Sequence, residues 1–198
     1  MKIYNYFNND FLNNYSFIRY YSRQEVIALE GSECKYIGFI DQGSIQISTL
    51  SYQDKEEIIT TLNSNQFFGN NLLFASKNNY LGTIIAKVQT RIRFFSKENF
   101  LVLLENKEFL KDYLKFISDD ALAIKNQAKL LAHKNIRDRI MFYIKEETRD
   151  NKKTIKIKSI TELSSILSLP RPSVSREISK MCDEGLIEYK NKLISLKL

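Results

Sequence analysis

The stretch Thr161-Glu-Leu-Ser-Ser-Ile-Leu-Ser-Leu-Pro-Arg-Pro-Ser-Val-Ser-Arg176-Glu-Ile-Ser-Lys-Met-Cys-Asp-Glu-Gly-Leu-Ile187 is typical of two short helices joined by a tight turn. In the first helix Thr161 is expected to be the cap, and the side chains expected to face the core are Leu163, Ile166 and Leu167. The turn is expected near Ser168-Leu-Pro170. Ser168 stands where many such turns have glycine, so it should add some strain.

The second helix of the pair is predicted to begin near Pro172, because a proline in the first turn leaves no hydrogen bond unmade. Steps of four and three residues place three apolar side chains toward the core: Val174, Ile178 and Met181. The polar positions left for the outer face are Arg171, Ser173, Ser175, Arg176 and Lys180.

This outer face suits the major groove of DNA. An arginine at the start of such a helix, here Arg171, can donate two hydrogen bonds to guanine O6 and N7. Arg176 can do the same or bind a phosphate. Ser173, Ser175 and Lys180 are better suited to phosphates, which fix the register but carry no sequence information.

A basic hairpin is predicted after the helix pair. The segment Gly185-Leu-Ile-Glu-Tyr-Lys-Asn-Lys-Leu-Ile-Ser-Leu196 contains two short strands around Lys190-Asn-Lys192. Together with the helices it predicts a winged helix-turn-helix. The candidate DNA-binding residues are Thr161, Arg171, Ser173, Ser175, Arg176, Lys180, Lys190 and Lys192.

The charge distribution supports this interpretation. Residues 133–198 carry 15 Lys/Arg against 9 Asp/Glu, whereas residues 1–132 carry 15 against 14. Most of the net charge of +7 therefore lies in the last third of the chain, as expected for a surface that meets nucleic acid.

Residues 17–95 have the pattern of a β-rich domain. Short apolar segments are separated by turn signals and include Tyr36–Ile40, Ser44–Ser48, Glu57–Leu62 and Thr83–Ala86. Many short strands with closely spaced turns indicate a barrel or a jelly roll.

A long helix is predicted from about Lys107 to Ala132, after a helix start at which Ser96 is the N-cap. Its apolar residues follow steps of 4, 3, 4, 3, 4 and 3: Leu110, Leu114, Ile117, Ala121, Ile124, Ala128 and Leu131. This is a heptad seam, which favours pairing with a second helix. The alternative is an amphipathic helix that packs on its own domain.

The segments between this helix and the helix pair are shorter. Ile136–Arg149 is predicted to be helical, with Ile140, Tyr143 and Ile144 on one face. A polar loop is expected at Asp150–Lys153, followed by a short exposed strand at Thr154–Lys158.

Several function classes are not expected. No apolar run is long enough to span a membrane, and the first residues lack the apolar core of a signal peptide, so a cytoplasmic protein without a membrane partner is expected. Cys34 and Cys182 are expected to be reduced thiols, and His133 has no neighbouring ligand for zinc. No nucleophile–base pair or phosphate loop is present, so no catalytic residues, metal or cofactor are predicted and the protein is not expected to be an enzyme.

At this point the chain resembles the Crp/Fnr family of bacterial transcription regulators over nearly its whole length. Arg171-Pro-Ser-Val-Ser-Arg176 stands where that family has its recognition core. Three N-terminal segments, Tyr21–Ile27, Glu30-Gly31 and Ile37–Ile47, resemble its cyclic-nucleotide-binding jelly roll. Phe67-Phe-Gly69 resembles the mouth of its ligand cassette.

The departures from the family pattern concern the effector and the operator. Asn70 stands where cyclic-AMP binders have the glutamate for the ribose, and Tyr80-Leu81 where they have the arginine–serine pair for the phosphate. A phosphate without an arginine loses its charge-assisted hydrogen bonds, so usual cyclic-AMP binding is not expected. The candidates for an altered effector pocket are Gly69, Asn70, Asn71, Tyr80, Leu81 and Thr83. Two alternatives stay open for Asn70, Asn71, Tyr80 and Leu81: they line such a pocket, or they fill it with their side chains. Pro172 stands where several relatives have a glutamate that reads cytosine, so a different half-site is expected.

The resemblance implies an α+β protein with an N-terminal jelly roll at residues 1–96, a dimerisation helix region at 97–132 and a C-terminal winged helix-turn-helix domain at 133–198. It implies a homodimer on double-stranded DNA with a palindromic operator, and RNA polymerase as a further partner if the protein is an activator. The effector is unknown. Two alternatives stay open: a redox, nitric-oxide or haem-linked sensor of the same architecture, and a ligand-binding jelly roll whose winged helix binds protein.

Overall fold

The computed structural model of the chain describes residues 2–148 and 154–197. Two compact units can be distinguished, Met1–Ile117 and Ser118–Leu198. The predicted polar loop Asp150–Lys153 and the end of the preceding helix at Arg149 lie outside the described residues. The predicted boundaries after residues 96 and 132 remain predictions.

The first unit is built on a sandwich of two four-stranded antiparallel sheets. One sheet has the strand order β1-β8-β3-β6 and the other β2-β7-β4-β5. The strands are β1 Phe17–Tyr21, β2 Val26–Ala28, β3 Ile37–Gln42, β4 Ser44–Leu50, β5 Glu56–Asn63, β6 Phe67–Phe68, β7 Thr83–Ala86 and β8 Thr90–Phe95. The four strand segments expected from sequence correspond to β3, β4, β5 and β7. The predicted fold class is confirmed.

The sandwich holds together because alternate side chains of its strands meet between the sheets. Ile40, Ile45, Ile84 and Ile92 are at most 1% exposed there, and Phe94 closes the layer. Isoleucine and phenylalanine suit such positions because branched and aromatic side chains fill a pleated surface.

A second apolar cluster fastens the N-terminal segment to the helices of the first unit. A 3₁₀ turn at Ile3–Asn5 precedes helix α1, Asn9–Tyr15, which Asn8 caps through its side chain. Ile3, Phe7 and Leu12 are buried with Phe109 and Tyr113. These contacts involve α3 (Lys97–Leu104) and the start of α4 (Lys107–Ala132), while the short α2 spans Asn70–Leu73.

Polar contacts reinforce the same packing. The Asp41 carboxylate is fully buried, accepts a hydrogen bond from the Tyr4 hydroxyl, and lies 3.3 Å from Arg91 Nε and 3.6 Å from Arg93 Nε. Arg93 also donates to Asn13 Oδ1 and Ser16 Oγ. Tyr4, Asn13 and Ser16 therefore hold the N-terminal segment to the sheet by hydrogen bonds to this buried charge cluster, in addition to the apolar contacts.

The second unit contains the predicted helix pair and hairpin. Its further elements are α5 Ile136–Glu147, β9 Thr154–Lys156, α6 Ile160–Ile166, α7 Arg171–Asp183, β10 Ile187–Lys190 and β11 Leu193–Leu196. The strands form one antiparallel sheet in the order β10-β11-β9. Its core contains Ile140, Ile144, Leu163, Leu167 and Ile194, all 0% exposed.

The cap of the first helix of the pair differs from the prediction. Helix α6 begins at Ile160, and its N-cap is Ser159, whose hydroxyl accepts from the amide of Glu162. Thr161 lies inside the first turn, so its prediction as the cap was wrong. The sequence does not separate the two candidates, because Ser159 and Thr161 lie two residues apart and both have a hydroxyl that can cap a helix. The predicted cap at Ser96 is confirmed, since its hydroxyl accepts from the amide of Asn99.

No helix within the described residues is both long and apolar enough to cross a bilayer.

Candidate nucleic-acid interface and effector cassette

The turn between α6 and α7 is closed by backbone hydrogen bonds. Ser168 has φ +52°, as the left-handed position after a helix requires. The amide of Ser168 donates to Ser165 O, and the amide of Leu169 donates to Ser164 O. This is a Schellman motif, and it makes Ser168 the strained residue that the sequence predicted.

Helix α7 begins directly after Pro170, and its predicted inward face is confirmed. Val174, Ile178 and Met181 are at most 3% exposed. On the other side Arg171, Ser175, Arg176 and Lys180 are exposed, and Ser173 is half-buried. Within the described residues no carboxylate forms an ion pair with Arg171 or Arg176. The exposed face of α7 thus carries cations that are free to meet an external anion.

An arginine of α5 binds two acidic residues, Glu177 in α7 and Glu184 at the C-cap of that helix. Arg137 Nε lies 2.6 Å from Glu177 Oε1, and the two terminal nitrogens of Arg137 bind both oxygens of Glu184 at 2.7 and 3.0 Å. The hydrogen bonds from Arg137 lower the pKa of Glu184. The role of Arg137 is not evident from the sequence, because its two partners lie 40 and 47 residues further along the chain.

The hairpin after α7 ends in a two-residue turn. Lys190 pairs with Leu193, and the two loop residues Asn191 and Lys192 have φ +53° and +64°. Two positive values are the mark of a type I′ turn, which matches the twist of the flanking strands. Lys190 and Lys192 are both exposed at this tip.

A second arginine of α5 joins two helix ends of the second unit. Arg139 donates to the carbonyl oxygens of Leu131 and His133 at the end of α4, and to that of Leu167 at the end of α6, at 3.0–3.4 Å. These carbonyls carry the negative ends of the two helix dipoles, so a cation stabilises both. No local sequence pattern indicates this role, because one of the accepting carbonyls lies 28 residues away along the chain.

The predicted heptad residues of α4 form an exposed apolar row. Leu114, Ile117, Ile124 and Leu131 are 54%, 38%, 63% and 46% exposed, and Ala121 and Ala128 are exposed as well. Leu110 is half-buried. The opposite side of the first turns is covered, because Phe109 and Tyr113 are buried in the first unit. Helix α4 therefore has one packed face and one apolar face without a partner in the described chain.

The six candidate residues of the effector cassette differ in their exposure. Gly69 has φ +74° and is the N-cap of α2, so glycine is favoured there. Asn70 and Thr83 are half-buried, Asn71 is exposed and Leu81 is 75% exposed. The hydroxyl of Thr83 accepts from the amide of Glu30.

Tyr80 occupies the centre of the cassette. A Cβ on Gly69 would lie 3.7 Å from the Tyr80 hydroxyl and 3.0 Å from Cys34 Sγ. Burial and a hydrogen bond with Cys34 raise the pKa of Tyr80, so the phenol stays neutral. The Cys34 thiol is fully buried, and its pKa is likewise raised by burial. The hydroxyl of Tyr80 thus lies beside Gly69 and Cys34 as a neutral group.

Both cysteines are free thiols, and in residues 2–148 and 154–197 no three His, Cys, Asp or Glu side chains are grouped as metal ligands. The single histidine, His133, belongs to the second unit and packs against Phe142.

Comparison with known proteins agrees with this geometry. Residues 18–107 match the family of the cyclic nucleotide-binding domain. The catabolite activator protein of Thermus thermophilus has a TM-score of 0.56 at 16% identity, over 98% of this chain and 93% of that one. No protein of curated function matched the sequence.

Two further solved structures are similar over almost the full length. A CooA variant from Carboxydothermus hydrogenoformans has a TM-score of 0.60 at 19% identity, over 99% of this chain and 90% of that one. The c-di-GMP-responsive global regulator CLP of Xanthomonas campestris has a TM-score of 0.53 at 18% identity, over 96% and 97%. The chain has the architecture of the Crp/Fnr transcription regulators, with a cyclic nucleotide-binding domain in its N-terminal half.

Proposed function

We propose that this protein is a homodimeric, sequence-specific DNA-binding transcription regulator that does not depend on cyclic AMP. The observation that carries the proposal is the outer face of α7, where Arg171, Arg176 and Lys180 are exposed beside a well-formed turn. Helices that enter the major groove present their N-terminal residues to base edges in this way. The acidic residues Glu177 and Glu184 do not oppose DNA, because Arg137 binds both.

We assign different tasks to the polar residues of this face. Arg171, at the first position of α7, is the base-reading residue, and Arg176 reads a base or binds a phosphate. The phosphate contacts are assigned to Thr161, Ser173, Ser175, Lys180 and the hairpin residues Lys190 and Lys192. Pro172 cannot accept a hydrogen bond from cytosine, so the half-site should differ from that of relatives with glutamate there.

The experiment for DNA binding is selection of bound sites from random duplex DNA, followed by affinity measurements over a salt series. A palindromic consensus whose half-sites lie about 34 Å apart is expected, with affinity that falls steeply as salt rises. Failure to enrich any site, or binding that does not weaken with salt, would favour the protein-binding alternative.

The dimer is proposed from the exposed apolar row of α4. Its strict spacing and two alanines suit close pairing with the same helix of a second copy. Ile124→Glu should convert the dimer to a monomer in light scattering and abolish tight operator binding. Leu122→Glu is the matched control, because Leu122 is 57% exposed but lies off the seam. Dimers that survive Ile124→Glu would contradict this interface.

Independence from cyclic AMP is proposed from the position of Tyr80. The neutral phenol cannot replace the charge-assisted bonds of an arginine, and it lies against Cys34 and Gly69 where the ligand would need space. Calorimetry should therefore show no binding of cyclic AMP at micromolar concentration. Micromolar affinity for cyclic AMP would overturn this part of the proposal and leave the DNA-binding part standing.

A further inference from the structure

A cavity of about 190 Å³ opens at the edge of the first unit that strands β1 and β2 form. Phe17, Arg19 and Tyr21 alternate along β1 and line one wall. Ile27 and Ala28 of β2 line another part. The cavity thus lies between the two sheets, with its mouth beside two edge strands.

This cavity is separate from the family's cassette. Of the six cassette candidates only Tyr80 lines it. The Tyr80 hydroxyl lies 3.7 Å from the position that a Cβ on Gly69 would take. Tyr80 is therefore the one candidate residue that the cavity and the cassette share.

The size and walls of the cavity favour a single aromatic ring. A cavity of about 150 Å³ is enough for benzene, whereas drug-sized ligands need roughly 300 Å³ or more. The ring of Phe17 lies 5.1 Å from that of Tyr36 in an edge-to-face contact and 5.4 Å from that of Phe94 in a stacked one. Such an aromatic cluster offers both faces and edges to another ring.

The charge at the mouth favours an anion. Arg19 is exposed, its guanidinium carbon lies 5.4 Å from the centre of the Phe17 ring, and no carboxylate pairs with it in the described chain. The other charges at the mouth, Lys35 and Glu33, lie 3.8 Å apart and offset each other. One positive charge therefore remains, next to an aromatic wall.

We propose that this cavity binds a small aromatic monocarboxylate, with the ring against Phe17, Tyr36 and Phe94 and the carboxylate on Arg19. The guanidinium supplies the paired hydrogen bonds that a carboxylate accepts. The proposal goes beyond the DNA-binding function and does not depend on it.

The probe is benzoate, titrated calorimetrically into the full-length protein without DNA. Benzoate should bind with a dissociation constant below about 1 mM, a value that so small a ligand can reach. Benzamide has the same shape and no charge, so it should bind about tenfold more weakly. This comparison uses the wild-type protein alone and needs no variant to fold.

The matched variants are Arg19→Gln and Arg23→Gln. Arg19→Gln should weaken benzoate about tenfold, while Arg23→Gln should not, because Arg23 is exposed in the neighbouring turn and does not line the cavity. Absence of benzoate binding, equal binding of benzamide, or equal loss in both variants would each overturn the proposal. None of these results would bear on DNA binding, since the assay contains no DNA.

Discussion

The two units differ at the charged and polar groups that matter most for their function. In the first unit the carboxylate of Asp41 is buried between two arginines, and the hydroxyl of Tyr80 is hydrogen-bonded with the thiol of Cys34. In the second unit Arg171 and Arg176 of α7 are exposed without an ion pair among the described residues, while Arg137 binds Glu177 of that helix and Glu184 at its C-cap.

This difference separates groups that stabilise the fold from groups that can bind a ligand. A buried charge must be paired, because its desolvation is otherwise uncompensated. An exposed cation costs the fold little and keeps its full capacity for an external anion. The buried pairs of Asp41 belong to the first kind, and the exposed arginines on the proposed DNA-binding face of α7 belong to the second.

The largest expected effect comes from removing the carboxylate of the buried ion pairs in the first unit. Asp41→Ala leaves Arg93, which is 3% exposed, without its carboxylate, and should lower the free energy of unfolding of the first unit by about 3–5 kcal/mol. Urea unfolding followed by circular dichroism measures it. Glu33→Ala breaks an exposed pair and should change this free energy by less than about 0.5 kcal/mol. Similar losses of unfolding free energy in the two variants would contradict the stated difference between buried and exposed ion pairs.

The next largest effect is expected at an exposed arginine of α7. Arg171→Ala should relax specificity at one base position by about 1–3 kcal/mol, because the bidentate contact to guanine is lost. Anisotropy titrations with operators changed at each base measure it. Lys190→Ala, at the hairpin tip, should instead weaken all sequences alike and reduce the salt slope by about 1. A uniform loss in Arg171→Ala would argue against base reading there.

A smaller effect is expected at the turn that presents the outward face. Ser168→Gly should raise the free energy of unfolding of the second unit by about 0.5–1 kcal/mol, because glycine avoids the cost of a left-handed φ of +52°. Thermal unfolding measures it. Ser165→Gly, in helix α6, should have the opposite sign, at about 0.5 kcal/mol. Destabilisation by Ser168→Gly would show that the turn is not strained.

The smallest effect is a pH dependence from Arg137. The folded-state pKa of Glu184 lies below the ordinary value of 4.5, so its contribution to stability is complete above pH 4.5 and is lost as the pH falls through the folded-state value. The difference in melting temperature between the wild type and Arg137→Met should therefore shrink below pH 4.5. Arg176→Met, without an acidic partner in the described residues, should show a difference that does not vary with pH over this range. An unchanging difference for Arg137→Met would rule out this linkage.

Local rules made most of the second unit predictable. Val174, Ile178 and Met181 follow helical spacing, and the strain at Ser168 follows from a turn that prefers glycine. The structure at these positions depends on residues close by in the sequence, so the sequence alone is enough to predict it. The cap of α6 was predicted to be Thr161 but is Ser159. The two residues have equivalent hydroxyls within one turn, so the sequence does not distinguish them.

Long-range packing made the first unit harder to predict. Helix α1 was not foreseen, although Asn8 as a cap and the spacing of Phe7, Phe11 and Tyr15 would have indicated it. The pairing of Asp41 with Arg91 and Arg93 joins two strands that are far apart in the sequence, so no local sequence pattern predicts it. The same holds for the cavity beside Arg19.

The sequence by itself determined the architecture, the outward face of α7 and the spacing of the apolar row on α4, because periodicity and turn chemistry are local properties of the chain. Only the tertiary structure decided that Tyr80 lies against Cys34 and Gly69, that Arg137 binds Glu177 and Glu184, and that an open cavity lies beside Arg19. Each of these depends on which distant side chains share a space, and the free energy of a buried or charged group is set by those neighbours.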